Sequence, residues 1–281
     1  MMPEVTGAGV EELRFFSPAV GREVGVTLLK PPGERPPGGY PVLLLLHGSS
    51  DDQRSWTAQT QIAELAAASK VLVAMPEGGR LGFYTDWRVP DRDGTIPRWE
   101  SFHLGELLPM LETEYGASDA RMVAGISMGG YGALRYGMRH PELFRAVASL
   151  SGIMHLTRPG MAALLGLLSV REGHRPGKIW GPRWSSRAVW AENDPLLHAE
   201  ALASTRVYLA AGDGHKVAGE ETVPGMGLIE RYSRSMTEEL AARLHVLNAD
   251  VTTDFGAGTH FWQTWRGALE RLWPYVVDTL R

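Results

Sequence analysis

The pattern of apolar and polar positions divides the chain into strands that alternate with helices. Residues 11–16 and 22–30 alternate loosely and carry β-formers, which predicts an opening antiparallel pair closed by the Pro/Gly-rich stretch 31–39. Pro41-Val-Leu-Leu-Leu-Leu is a short continuous apolar run, as expected of a strand buried on both faces. Further strands are predicted at 70–75, 121–126, 146–151, 205–211 and 249–255, and helical spacing recurs at 56–69, 99–115, 130–140, 226–246 and 261–280. This alternation implies a three-layer α/β fold around a mostly parallel sheet. Two stretches break the rhythm. Residues 80–98 form a long loop holding Phe83-Tyr84-Thr85-Asp86-Trp87, and loops of that length usually serve function or lack order. Its aromatics suggest that it packs against something. Residues 153–204, rich in Trp and Leu with a short apolar helix at 161–170, read as a cap over the carboxyl edge of the sheet. The plainer alternative is that Leu164, Leu165, Leu167 and Leu168 are simply core. No internal repeat or low-complexity linker is visible, so the expectation is one domain, 1–281, with a cap-like insertion at 153–204.

Composition narrows the function. With 44% apolar residues and nine Trp in 281 residues, the chain can bury a sizeable core. A net charge of −4 without any Lys/Arg run does not indicate nucleic-acid binding. The absence of cysteine excludes disulfides, thiolate metal sites and a cysteine nucleophile. No paired His/carboxylate spacing suggests a metal, and no cofactor motif stands out. The first residues lack the basic and apolar regions of a secretory signal, and no apolar run approaches the roughly 20 residues that span a bilayer. The expectation is a cytoplasmic protein with no membrane partner; the oligomeric state stays open.

The chemistry centres on Gly125-Ile-Ser-Met-Gly, which leaves a strand and enters a helix. That is the context in which G-x-S-x-G works as a nucleophile elbow, with Ser127 at its tip. A serine needs a base, and His260 is best placed: it follows the last strand and lies after the serine in chain order. His140 looks like a solvated helix end, and His47 precedes the serine and suits an oxyanion loop better. Two carboxylates compete to hold the imidazole. Asp213 ends a strand, the usual position for a hydrolase acid, and Glu230 opens the helix that follows. Chain position alone favours Asp213. The oxyanion donors should be the amide of Met128 and one from the loop after the first buried strand, most simply Ser49. His47, Trp87, Trp180 and Trp262 are the candidate substrate contacts, and the apolar stretch at 161–170 suits an acyl or aromatic group.

Leu46-His-Gly, Phe83-Tyr-Thr-Asp-Trp, Trp99-Glu-Ser-Phe, Gly125-Ile-Ser-Met-Gly-Gly-Tyr-Gly-Ala, His140-Pro-Glu-Leu-Phe and Gly258-Thr-His-Phe-Trp-Gln-Thr-Trp together resemble the esterase D superfamily of α/β-hydrolases. That group includes S-formylglutathione hydrolases, feruloyl esterases and mycolyltransferases, and the resemblance spans residues 38–275. Ser-Met-Gly-Gly and the Gly-Thr-His-aromatic ending look most like the mycolyltransferase branch. There the acid is a glutamate opening the helix before the last strand, which implies Glu230 here and reverses the positional preference. The branch also implies that His47-Gly48-Ser49 supplies the second oxyanion amide. The resemblance therefore implies an α/β-hydrolase fold and a serine esterase acting on a small acyl ester, with a Ser-His-Glu triad and no cofactor. The alternatives are an acyltransferase passing the acyl group to an alcohol or amine, and a non-catalytic binding protein on the same fold.

Overall fold

The computed structural model describes residues 4–5, 9–90 and 94–281. Most of the first eight residues, on which the leader reading rests, and 91–93 of the long loop lie outside the described residues. The strands are β1 (Glu4–Val5), β2 (Val10–Ser17), β3 (Arg22–Leu29), β4 (Tyr40–Leu46), β5 (Leu72–Pro76), β6 (Ala117–Ile126), β7 (Ala146–Leu150), β8 (Arg206–Gly212) and β9 (Val251–Gly256). They form one nine-stranded sheet in the order β1-β2-β3-β5-β4-β6-β7-β8-β9. The pairs β1–β2, β2–β3 and β3–β5 are antiparallel, and every pair from β5 onward is parallel. The expected opening pair and mostly parallel sheet are both present.

The apolar run of β4 shows why the sheet is covered on both sides. Val42, Leu44 and Leu46 point into one core, Leu43 and Leu45 into the other. The first core is closed by α4 (Met128–Arg139) and α8 (Met226–Val246), through side chains such as Leu134 and Leu240. The second is closed by α1 (Ser55–Gln59), α2 (Ile62–Ala67) and α9 (Trp262–Thr279), through Trp56, Ile62 and Leu269. Each fully buried aliphatic chain of this kind contributes about 1.5–3 kcal/mol of burial free energy. A continuous run is what such a strand requires, because neither face meets water.

Two expected helices differ in detail. The helix expected at 56–69 is split into α1 and α2 at Thr60, whose backbone is extended (φ −137°, ψ 173°). The Thr60 hydroxyl donates to the Trp56 carbonyl at 2.6 Å and accepts from the Ile62 amide at 3.3 Å, offering the backbone an alternative to the helical ladder. The helix expected at 99–115 opens with a wider π-helical run, Ser101–Leu107, before α3 (Leu108–Tyr115). Pro109 at the start of α3 has no N–H to give, so the regular ladder is interrupted there.

Both irregular stretches lie on the face that carries α4. The 80–98 loop turns inward: Tyr84 is fully buried against Gly132 of α4, where a methyl group would come within 2.5 Å of its ring. The Tyr84 hydroxyl donates to the His47 carbonyl at 2.8 Å. Residues 153–204 hold α5 (Met161–Arg171), α6 (Arg187–Glu192) and α7 (Ala199–Leu202), joined by loops. Of the four leucines in question, Leu165 is core, Leu167 is 68% exposed, and Leu164 and Leu168 line a cavity.

Candidate active site

Ser127 lies between β6 and α4 with a positive φ outside the allowed helical and strand regions (φ 49°, ψ −113°), which a residue with a Cβ adopts only under constraint. The constraint is the tightness of the turn. A Cβ on Gly125 would approach the Gly129 carbonyl carbon to 2.4 Å, and one on Gly129 would approach the Leu46 carbonyl oxygen to 2.4 Å. The Ser127 amide donates to the Leu150 carbonyl at 2.9 Å, fixing the turn to the end of β7. The Met128 amide opens α4, where helical amides have no partner within the helix.

His260 follows β9 in the loop before α9, and its Nε2 is 2.8 Å from Ser127 Oγ. Its Nδ1 is 2.7 Å from Glu230 Oε2. Glu230, in the second turn of α8, is fully buried. Its other oxygen, Oε1, accepts from Ser151 Oγ at 2.6 Å and from the Gly212 amide at 2.7 Å. An ionised carboxylate only accepts, so Nδ1 carries the proton and Nε2 is left to accept from the serine. Trp265 Nε1 donates to Ser151 Oγ at 3.0 Å, and its ring meets His260 edge-on at 5.1 Å.

Asp213 takes no part in this chain. Its side chain is 46% exposed, its Oδ1 accepts the His215 amide at 2.8 Å, and its Oδ2 faces His215 Nδ1 at 3.2 Å. These contacts, led by the His215 amide, hold its carboxyl below the ordinary range. The position that strand order alone favours is a turn cap, and the residue beside His260 is Glu230. Nor does Glu230 pair with Arg234, whose guanidinium goes to Glu238 at 2.7 Å.

Ser127 and His260 open onto a cavity of about 330 Å³. Its lining is largely apolar, including Ile153, Met161, Leu164 and Leu168 and also Met226 and Ile229. Ser49, Asp51 and Trp262 line it as well. Of the four candidate substrate contacts, Trp262 is a lining residue. His47, Trp87 and Trp180 are not lining residues of this cavity among those described. His47 is buried under the loop it begins: Nδ1 bonds the Gly48 carbonyl at 2.7 Å, and Nε2 accepts the Gly78 amide at 2.9 Å. Burial pushes its pKa down, so it stays neutral and structural. Trp87 Nε1 donates to the Gly82 carbonyl at 3.1 Å within its own loop, and Trp180 borders a separate hollow of about 150 Å³.

Three residues near the site carry no signature in sequence. Ser151 holds Glu230, yet reads as the end of a buried strand. Glu220, in the 213–225 loop, accepts from both the amide and the hydroxyl of Thr259, next to His260. Asp51 lines the cavity, and its burial pushes the carboxyl up to about 6. Only the Asp-Asp repeat at 51–52 in the loop after β4 could have drawn attention to it.

A strained serine after β6, a histidine after β9 and a buried carboxylate on α8, joined by hydrogen bonds, form the arrangement expected of an acyl-transferring hydrolase. The family model described as "Putative esterase" matches residues 17–275. The chain belongs to this esterase family. It is 36% identical over 208 residues to an esterase of Mycobacterium tuberculosis, covering 71% of this chain and 45% of that protein, so it spans under half of that relative's length. It is 30% identical over 286 residues to the diacylglycerol acyltransferase/mycolyltransferase Ag85B of Mycobacterium avium, covering 98% of this chain and 84% of that one. Among solved structures, Mycobacterium tuberculosis MPT51 superposes with a TM-score of 0.79 at 24% identity, covering 98% of this chain and 100% of that one. An S-formylglutathione hydrolase of Staphylococcus aureus superposes at 0.68 with 19% identity, covering 95% and 98%. At those identities the structures speak for the α/β-hydrolase fold. Among the described residues, no helix is long and apolar enough to cross a membrane.

Proposed function

We propose that the chain is a serine esterase that cleaves a small carboxylic ester with an apolar acyl group, through an acyl-enzyme on Ser127. His260 takes the hydroxyl proton as Ser127 Oγ attacks the ester carbonyl, while Glu230 fixes the tautomer and stabilises the imidazolium that forms. The carbonyl oxygen becomes an oxyanion received by the amides of Met128 and Ser49, each donor contributing about 3–4 kcal/mol in comparable hydrolases. The imidazolium then protonates the leaving alcohol. Water, activated by the same histidine, attacks the acyl carbonyl and frees the acid and the serine.

The observation that carries this reading is the unbroken hydrogen-bond chain from Ser127 through His260 to Glu230 at an apolar cavity. Acyl transfer is the second reading: an alcohol or amine replaces water in the last step. It is favoured by the likeness to Ag85B, whose own name is that of an acyltransferase. In either reading, 1–281 works as one domain and the segment 153–204 is its cap, α5 shielding the acyl-enzyme from water. The proposal keeps the cytoplasm as the place of action, with no nucleic-acid or membrane partner, and cell fractionation tests that part.

Turnover of p-nitrophenyl esters tests the chemistry. Ser127→Ala is expected to lower kcat by about 10⁴-fold or more. An unchanged kcat in that variant would contradict the proposal. Adding a primary alcohol at fixed ester concentration separates the two readings, since transfer yields a new ester in proportion to the alcohol and hydrolysis yields acid throughout.

A further inference from the structure

We propose that Glu172 is a positioning residue for the oxyanion loop, joining the helix that lines the acyl side of the cavity to the loop that carries the Ser49 amide. The inference rests on the oxyanion role proposed above for Ser49. Glu172 caps the carboxyl end of α5, and its side chain is 4% exposed although it sits at the protein surface. Its Oε1 accepts from the Ser50 hydroxyl and from Arg171 Nε at 3.1 Å, and its Oε2 accepts from Arg80 Nε at 2.7 Å. Arg171 Nη2 closes the ring by donating to Ser50 Oγ at 2.6 Å. Burial works against the charge on Glu172, but the hydrogen bonds from Ser50, Arg80 and Arg171 outweigh it and hold the carboxyl below its usual range. The network is therefore in place at neutral pH.

The loop it grips needs such support. Ser50 is in the left-handed region at φ 67°, a strained conformation for a non-glycine residue that persists only where its surroundings impose it. Its amide donates to the Arg80 carbonyl at 2.8 Å, so the two residues that Glu172 bridges through their side chains are also joined directly through the backbone. Ser49, one peptide earlier, lines the cavity. An oxyanion donor works only within a few tenths of an ångström of its target, and a 1 Å misplacement can cost about 10²-fold. From Glu172 the helix runs back through Leu168, Leu164 and Met161, which line the cavity. One carboxylate thus ties the wall that would meet the acyl chain to the amide that would meet its carbonyl oxygen.

The test measures kcat and KM for a short p-nitrophenyl ester on wild type, Glu172→Leu, Glu172→Gln, Ser50→Ala and the Ser50→Ala/Glu172→Leu double variant. Glu172→Leu and Ser50→Ala are each expected to lower kcat about tenfold with KM within about twofold, since a loosened donor loses part of the roughly 10²–10³ that a deleted one loses. Glu172→Gln, which still accepts from Ser50, is expected to stay within about threefold of wild type. The double variant should be no slower than the worse single variant, because the residues act as one unit. A merely structural role would lower the melting temperature or raise KM and leave kcat in place. That result, or losses that multiply in the double variant, would overturn the proposal; should Glu172→Leu fail to fold, Ser50→Ala decides it by the same split. If wild-type turnover itself does not depend on Ser127, it is the proposed function that fails.

Discussion

Two carboxylates lie close to one strand end and meet different fates. Asp213 directly follows β8, is half-exposed, and spends its oxygens on the amide and ring of His215. Glu230 lies one loop further on, is fully buried, and has a donor for each direction: His260, Ser151 and the Gly212 amide. The Gly212 amide is the backbone donor just before Asp213, and it points to Glu230. A strand end offers a place from which a carboxylate can reach a histidine, but burial and donor supply decide which one does. A buried charge is tolerable only where hydrogen bonds replace the water it has lost. Three donors meet that demand for Glu230, whereas Asp213 keeps its water.

The sharpest way to break this comparison is to neutralise each carboxylate in turn. Glu230→Gln keeps the shape but can no longer enforce the Nδ1–H tautomer, and kcat should fall about 10³–10⁴-fold. Asp213→Asn should leave kcat within about twofold in the same ester assay. A weaker effect is expected at Ser151. Ser151→Ala removes one donor from Glu230 and leaves Trp265 Nε1 facing a methyl group. Chemical denaturation should register a loss of about 1–2 kcal/mol, with kcat lowered about tenfold or less.

Asp51 sharpens the comparison from the other side, because it is buried with less support. Its carboxyl is raised from 3.8 to about 6, first by burial and against a hydrogen bond from Ser55. The folded chain therefore binds a proton between these values that the unfolded chain has released, so stability falls as pH rises from about 4 to about 6. Asp51→Asn should remove that slope. The variant should match wild type below about pH 4 and exceed it above about pH 6 by roughly 1–2 kcal/mol after solvent screening, read from urea unfolding across pH.

The fold was legible because its core strands leave no polar face to misread. Val42 to Leu46 read as a strand covered on both sides, and the glycines at 125 and 129, between a strand and a helix, read as serving a tight turn; both are found. Ser127 and His260, brought to hydrogen-bond distance, are picked out by the G-x-S-x-G elbow and by a place after the last strand in the expected chain order. Glu230 was legible through family resemblance, since its burial depends on Ser151 and Gly212, which lie far from it in sequence. Trp262 lines the cavity, but the other aromatic candidates do not, for a related reason. His47 and Trp87 sit in loops near the site, yet each satisfies its polar atoms on nearby backbone and supports the loops from beneath. Composition marks a tryptophan as important without saying which way it faces. Thr60 and Pro109 changed two helices through local hydrogen bonding that periodicity does not register.

The central claim is that Ser127, His260 and Glu230 act as one unit, and the most direct measurement is the rate at which a fluorophosphonate labels Ser127, followed by intact mass and peptide mapping. Wild type and Asp213→Asn should both label once, at Ser127 and at similar rates, while Glu230→Gln labels about 10³-fold more slowly. Labelling at another residue, or slowing by Asp213→Asn with Glu230→Gln unaffected, would contradict the account.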